Sequence, residues 1–142
     1  MNNNKLIIGY TSGVFDLFHI GHLNLLRNAK SMCDKLIVGV STDDLVAYKH
    51  KKPVIPFSER ISIVQNIKYV DSAVAQKDMD KLTMCKKLNV DVLFVGDDWY
   101  NTDKWNSYEQ EFSKNGIDII YFPYTITTSS TLINKKLEEL RS

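Results

Sequence analysis

Two periods of hydrophobic residues alternate along the chain. Runs that are apolar almost throughout, such as Leu36-Ile37-Val38 and Val92-Leu93-Phe94-Val95, have the length of strands. Residues 6–11, 35–41, 70–75, 90–96 and 117–122 read as five strands on this basis. Between them apolar residues recur at helical spacing. Leu25, Leu26, Ala29 and Met32 fall on one face of a helix over 22–32. Ser58 can cap a helix whose buried stripe is Ile61, Val64 and Ile67. Helices are also expected over 81–88 and 108–114, and a last one from about residue 130 aligns Ile133, Leu137 and Leu140. The stretch 42–57 is polar and basic and carries Pro53 and Pro56, so it reads as a loop.

Strands alternating with helices predict an α/β fold: a doubly wound, Rossmann-like, five-stranded parallel sheet flanked by helices. Continuous apolar strands fit a sheet covered on both faces. In such sheets ligands bind beyond the carboxyl ends of the strands, where the strand order reverses. The segments 11–22, 42–52, 96–99 and 123–131 follow four of the predicted strands and so share that end.

Composition narrows the partners. A length of 142 residues suits one domain, 1–142, with a core that needs no disulfides. A net charge of +1 gives no field for nucleic acid or an anionic membrane surface. No apolar run approaches a membrane span, and Met1-Asn2-Asn3-Asn4-Lys5 does not resemble a secretory signal. Cys33 and Cys85 form no metal-type pair and read as reduced thiols, so a cytoplasmic protein is expected.

The candidate chemistry lies first in Ser12-Gly13-Val14-Phe15-Asp16-Leu17-Phe18-His19-Ile20-Gly21-His22. A glycine after a strand lets backbone approach a phosphate, and the next helix offers free N–H groups and a positive dipole end. His19 and His22, three apart around Gly21, can converge on a phosphoryl group gaining charge. The same spacing is open to a capping and packing role, or to metal binding, although no third ligand has suitable spacing. Asp16 is either a buried or capping carboxylate or part of the phosphate turn. Lys49-His50-Lys51-Lys52 is a basic segment that solvent alone would accommodate, and Arg60 is by itself an ordinary helix charge. Gly96-Asp97-Asp98-Trp99 places two acids after a buried strand, where they can hold Mg²⁺, bind a hydroxyl or cap a helix. The run Thr125-Ile126-Thr127-Thr128-Ser129-Ser130-Thr131 sets hydroxyls at a helix start, suited to phosphate oxygens or to simple capping.

The segment Gly13 to His22 resembles the first signature of the cytidylyltransferase family, including the glycerol-3-phosphate, phosphocholine and phosphoethanolamine enzymes. The bacterial glycerol-3-phosphate enzymes are also similar in length, and the resemblance spans nearly the whole chain. It implies transfer of CMP from CTP to a small phosphorylated acceptor, with release of pyrophosphate and a CDP-linked product. His19, His22, Lys49 and Lys51 would be catalytic, and Ser12, Gly13, Val14, Phe15, Asp16, Gly21, Asp98, Thr125, Ser129, Ser130 and Thr131 would bind the nucleotide. Lys49, Arg60 and Tyr124 would meet the acceptor. The resemblance further implies Mg²⁺ with CTP, its protein ligands unassigned, and a homodimer.

Departures from the pattern bear on the acceptor. Tyr124 stands where the family usually has arginine, in a segment one residue shorter and without glycine, and Lys68 replaces another arginine. Glycerol 3-phosphate is the best single acceptor, with phosphorylated glutamine or another phosphate of a surface-polysaccharide pathway as the alternative. Related adenylyltransferases usually carry proline where this chain has Leu17, and arginine where it has Asn134. The His-Ile-Gly-His tetrapeptide also resembles class I aminoacyl-tRNA synthetases, but their lysine-serine signature and tRNA-binding domain have no counterpart here. A nucleotide-binding regulator without turnover is the non-enzyme reading.

Overall fold

The computed structural model describes residues 5–48, 51–96, 102–123 and 130–141, with side chains in the last segment only at 135–140. The chain runs β1 (Ile8–Gly13), α1 (Ile20–Ser31), β2 (Lys35–Ser41), α2 (Asp43–Tyr48), α3 (Phe57–Gln65), β3 (Ser72–Gln76), α4 (Lys81–Lys87), β4 (Val92–Gly96), α5 (Asp103–Lys114), β5 (Asp118–Phe122) and α6 (Ser130–Arg141). All five strands are parallel, in the order β3-β2-β1-β4-β5. The order reverses beside β1, which lies between β2 and β4. No described helix is long and apolar enough to cross a membrane.

Side-chain alternation along the strands splits the core into two layers. Leu36, Val38 and Val40 of β2, with Val92 and Phe94 of β4, pack beneath Leu26 and Ala29 of α1 and Val64 of α3. Ile37, Leu93 and Val95 point the other way, toward Cys85 of α4 and Trp105 and Phe112 of α5. These central strands are therefore apolar on both faces. Among the described residues the buried polar or charged ones are Thr11, Asp16, Ser41, Arg60 and Gln76. Thr11, Ser41 and Gln76 lie in the carboxyl halves of their strands, and Asp16 and Arg60 pack beside those ends. This is the end at which a ligand site was expected.

Several elements differ from their sequence-based boundaries. The region 42–57 contains a helix, α2, and is not loop throughout. Thr42 starts it: Leu45 N–H donates to Thr42 Oγ1 at 3.2 Å, Asp43 and Asp44 occupy the first turn, and Leu45 and Val46 are buried. Pro56 occupies the N-cap position of α3 without a side-chain cap bond, Ser58 lies inside the first turn, and α5 begins at Asp103 after the Thr102 cap. Helix α1 starts at Ile20, so the second histidine belongs to its first turn. Leu140 of α6 is 83% exposed and lies outside the core.

Close approach across the sheet demands glycine at position 39. The Tyr10 side chain crosses Gly39 of β2, and its hydroxyl donates to Gln76 Oε1 at the end of β3. Gln76 Nε2 in turn donates to Asp78 O at 2.8 Å. Burial, reinforced by Cys85 and Asp78, holds the Tyr10 phenol well above its ordinary pKa. A Cβ at Gly39 would sit 1.8 Å from Tyr10 Oη and 2.7 Å from Cζ. Gly39→Ala is therefore expected to destabilise the protein by about 1–3 kcal/mol in denaturant unfolding. Tyr10→Phe removes the nearer atom, so the double variant should lose less than the sum of the two single losses.

Candidate functional site

The β1–β4 register runs from Gly9↔Val92 to Tyr10↔Leu93, although both strands continue beyond it. One residue later Thr11 Oγ1 donates to Phe94 O at 2.9 Å, so a side chain ties the strands where the ladder ends. The turn between β1 and α1 follows at this reversal of strand order. Two residues in that turn adopt left-handed backbone: Phe15 at φ 54° and Leu17 at φ 50°. Each costs about 1–3 kcal/mol for a residue with a side chain, so the surroundings must hold the turn. The Phe15 ring is buried and lies over Gly13, where a Cβ would approach it to 3.2 Å.

Asp16, between the two left-handed residues, is buried, and its carboxylate binds an adjacent segment. Val54 N–H donates to Oδ2 at 2.8 Å and Ile55 N–H to Oδ1 at 2.9 Å. This is the buried carboxylate weighed from sequence, and it also orders the segment after the basic run. Arg60 is not an exposed helix charge. It is fully buried and donates to Val14 O, Ser41 O, Ile55 O and Asp43 Oδ1.

The two histidines form a reciprocal cap on α1. Gly21 N–H donates to His19 Nδ1 at 3.0 Å, and His19 N–H donates to His22 Nδ1 at 3.2 Å. Histidine replaces the usual hydroxyl or carboxylate in a capping box. The consequence is chemical. A neutral imidazole whose Nδ1 accepts carries its proton on Nε2, so the cap fixes both rings as Nε2–H donors. The ring centroids are 4.0 Å apart, and Phe15 and Phe18 lie 5.4 and 5.3 Å from His22. Burial lowers the His19 pKa. His22 is pushed down to about 4, chiefly by burial and then by His19, with Asp16 acting weakly in the opposite sense. Both rings are thus neutral near pH 7.

Ser12, Gly13, Val14, Phe15, Asp16, His19, Gly21, His22 and Arg60 are brought together at this end of the sheet. Lys51 is exposed at the start of the segment that Asp16 holds, and its N–H donates to Val46 O. Lys49, Asp97, Asp98, Trp99, Tyr124, Thr125 and Ser129 lie outside the described residues. Ser130 and Thr131 open α6, but their side chains also lie outside. Sequence reasoning missed Asp43, whose carboxylate accepts from Phe57 N–H at 3.1 Å and from Arg60 at 2.6 Å. The pair of acids after Thr42 was its available signal. A cavity of about 410 Å³ between α4 and α5 is lined by Leu82, Trp105, Tyr108 and Phe112, on the other face of the sheet from α1. It contains no residue of the histidine turn.

Among the described residues no three His, Cys, Asp or Glu side chains converge on a possible metal position. Asp16 is occupied by its two N–H donors.

The depressed His22 pKa has a defined effect on stability. Between pH 4 and 6.5 the unfolded imidazole binds a proton that the folded one excludes. This contribution to stability is complete above pH 6.5 and lost as pH falls toward 4. Thermal melts across that range should show the midpoint rising with pH, and His22→Asn should flatten the rise. An unchanged slope in the variant would count against the partly buried neutral ring.

With the geometry in place, comparison with known proteins is direct. Residues 10–138 match the Cytidylyltransferase-like family. Glycerol-3-phosphate cytidylyltransferase of Bacillus spizizenii is 36% identical over 137 residues, covering 96% of this chain and 99% of its own. FAD synthase of Thermococcus kodakarensis is 29% identical over 141 residues, covering 96% and 91%. A solved structure, the lipopolysaccharide core biosynthesis protein of Thermoplasma volcanium, aligns with a TM-score of 0.72 at 25% identity, over 85% of this chain and 98% of that one. The chain belongs to the cytidylyltransferase-like family and is a nucleotidyltransferase.

Proposed function

We propose that the enzyme transfers CMP from CTP to a small phosphorylated acceptor, with glycerol 3-phosphate as the best single candidate. The reading is carried by the reciprocal histidine cap, which sets two neutral Nε2–H donors beside a glycine turn at the reversal of strand order. Full-length similarity to glycerol-3-phosphate cytidylyltransferases supports CTP and this acceptor. A phosphate oxygen of the acceptor attacks the α-phosphorus in line, and the bond to the leaving pyrophosphate breaks. The new bond forms the CDP-linked product, with no covalent enzyme intermediate. Negative charge grows on the transferring and leaving groups, and His19 and His22 donate hydrogen bonds to it. Lys49 and Lys51 are proposed to hold phosphates as mobile point charges.

Magnesium is proposed to arrive with the triphosphate. The described side chains provide no cluster to hold it, so no step is routed through a protein-bound ion. Tyr124 at the family's arginine position supports a second acceptor reading, phosphorylated glutamine or another organic phosphate. Similarity to FAD synthases makes ATP the necessary control nucleotide.

Pyrophosphate release should be measured with CTP or ATP and a panel of acceptor phosphates. Release is expected with CTP, highest with glycerol 3-phosphate. Tight CTP binding without release from any acceptor would sink the enzyme assignment, and faster release from ATP would overturn the nucleotide. His22→Ala is expected to reduce turnover by about 100- to 1,000-fold. Loss of its cap should cost only about 1 kcal/mol of stability, so the fold should remain.

A further inference from the structure

Arg60 lies in the first turn of α3, following Pro53 and Pro56. An arginine there would ordinarily extend into water. Instead its side chain has 0% exposure, whereas its partner Asp43 is 50% exposed. A buried cation is tolerated only when paired and hydrogen-bonded. Arg60 satisfies that condition with protein atoms: Nε donates to Ile55 O at 2.8 Å, Nη1 to Val14 O and Ser41 O at 2.8 Å, and Nη2 to Asp43 Oδ1 at 2.6 Å. The Phe57 ring lies against the guanidinium, its centroid 5.8 Å from Cζ.

These bonds close a circuit around the left-handed turn. Arg60 holds the carbonyl immediately before Phe15, while Asp16, immediately after it, receives the N–H groups of Val54 and Ile55. The Ile55 carbonyl returns to Arg60. Phe15 is therefore gripped on both sides by one segment, and its ring packs edge-on against His22. The same guanidinium fixes the end of β2 and, through Asp43, the start of α2.

We propose that Arg60 is a positioning residue for nucleotidyl transfer: it does not touch substrate but holds the 14–17 turn so that His19 and His22 keep their Nε2–H donors aimed for reaction. The kinetic part of this proposal rests on the cytidylyl-transfer reading, whereas the state of the histidine rings can be read without it. Arg60→Lys retains charge but one nitrogen cannot replace three donor positions in a planar fork.

The test combines ¹⁵N-histidine NMR with single-turnover CMP transfer on wild type, Arg60→Met and Arg60→Lys, with circular dichroism to verify folding. Wild type should show both histidines as Nε2–H tautomers at pH 7. In either variant the tautomers should mix and the His22 titration should move toward its ordinary value. The transfer rate should fall about 100-fold, as expected for sub-ångström to ångström misplacement. CTP affinity should stay within about threefold, because uniform binding is not what is lost. Weakened CTP or acceptor affinity with unchanged rate and unchanged histidine spectra would overturn the proposal in favour of direct substrate contact. Full activity in Arg60→Lys would overturn it too. Should Arg60→Met fail to fold, Asp43→Ala removes the exposed arm of the circuit and should shift the histidine spectra in the same direction; no shift there overturns the proposal. Wild type without turnover would defeat the transfer reading, while the spectra would still decide this one.

Discussion

Two side-chain-bearing residues in left-handed backbone, one on either side of a buried carboxylate, are the constraint on which the site depends. Phe15 and Leu17 would relax if the turn were free, since nothing in their own chemistry favours that region. Asp16 prevents this by accepting two backbone N–H groups from residues nearly forty positions away in sequence. A carboxylate accepting from backbone makes charge-assisted bonds, among the stronger hydrogen bonds in a protein. The turn is thus stabilised by tertiary structure and could not persist as an isolated peptide. Its helix begins with histidines serving as caps, so the groups expected to act on phosphate also terminate the backbone ladder.

The sheet supplies the stage for this turn by opening next to it. β1 pairs with β2 along its whole length but with β4 over only two registered positions. Thr11 closes the gap at the level of Phe94, and beyond it the strands lead into their separate loops. The other buried polar groups at this end have equally specific partners: Gln76 with Tyr10 and Asp78, and Arg60 with three carbonyls and Asp43. Elsewhere the two core layers are built from apolar and aromatic side chains. Polar specificity is concentrated where strands end.

Much of the architecture was legible in the sequence because period and burial agree. The apolar run 35–41 coincides with β2, and Val64 lies in the core as its helical spacing requires. Helix α2 was not legible: six residues are too few to display a period, and the prolines that follow dominated the reading. The histidine turn was visible as a motif, but its mechanism was not. Spacing alone could not show that each Nδ1 is occupied by backbone, since that depends on Ile20 opening the helix directly after His19. Arg60 was recognisable as a basic position, yet its burial arises from Val14, Ser41 and Asp43, which only the folded chain gathers around it.

Leu17 carries a further consequence for how signatures of this kind diverge. Its φ of 50° lies about 115° from the torsion that a pyrrolidine ring imposes. The aspartate-leucine form of the signature and the aspartate-proline form are therefore not interchangeable by a single replacement. A proline at position 17 would need another backbone torsion, next to the carboxylate that holds Val54 and Ile55.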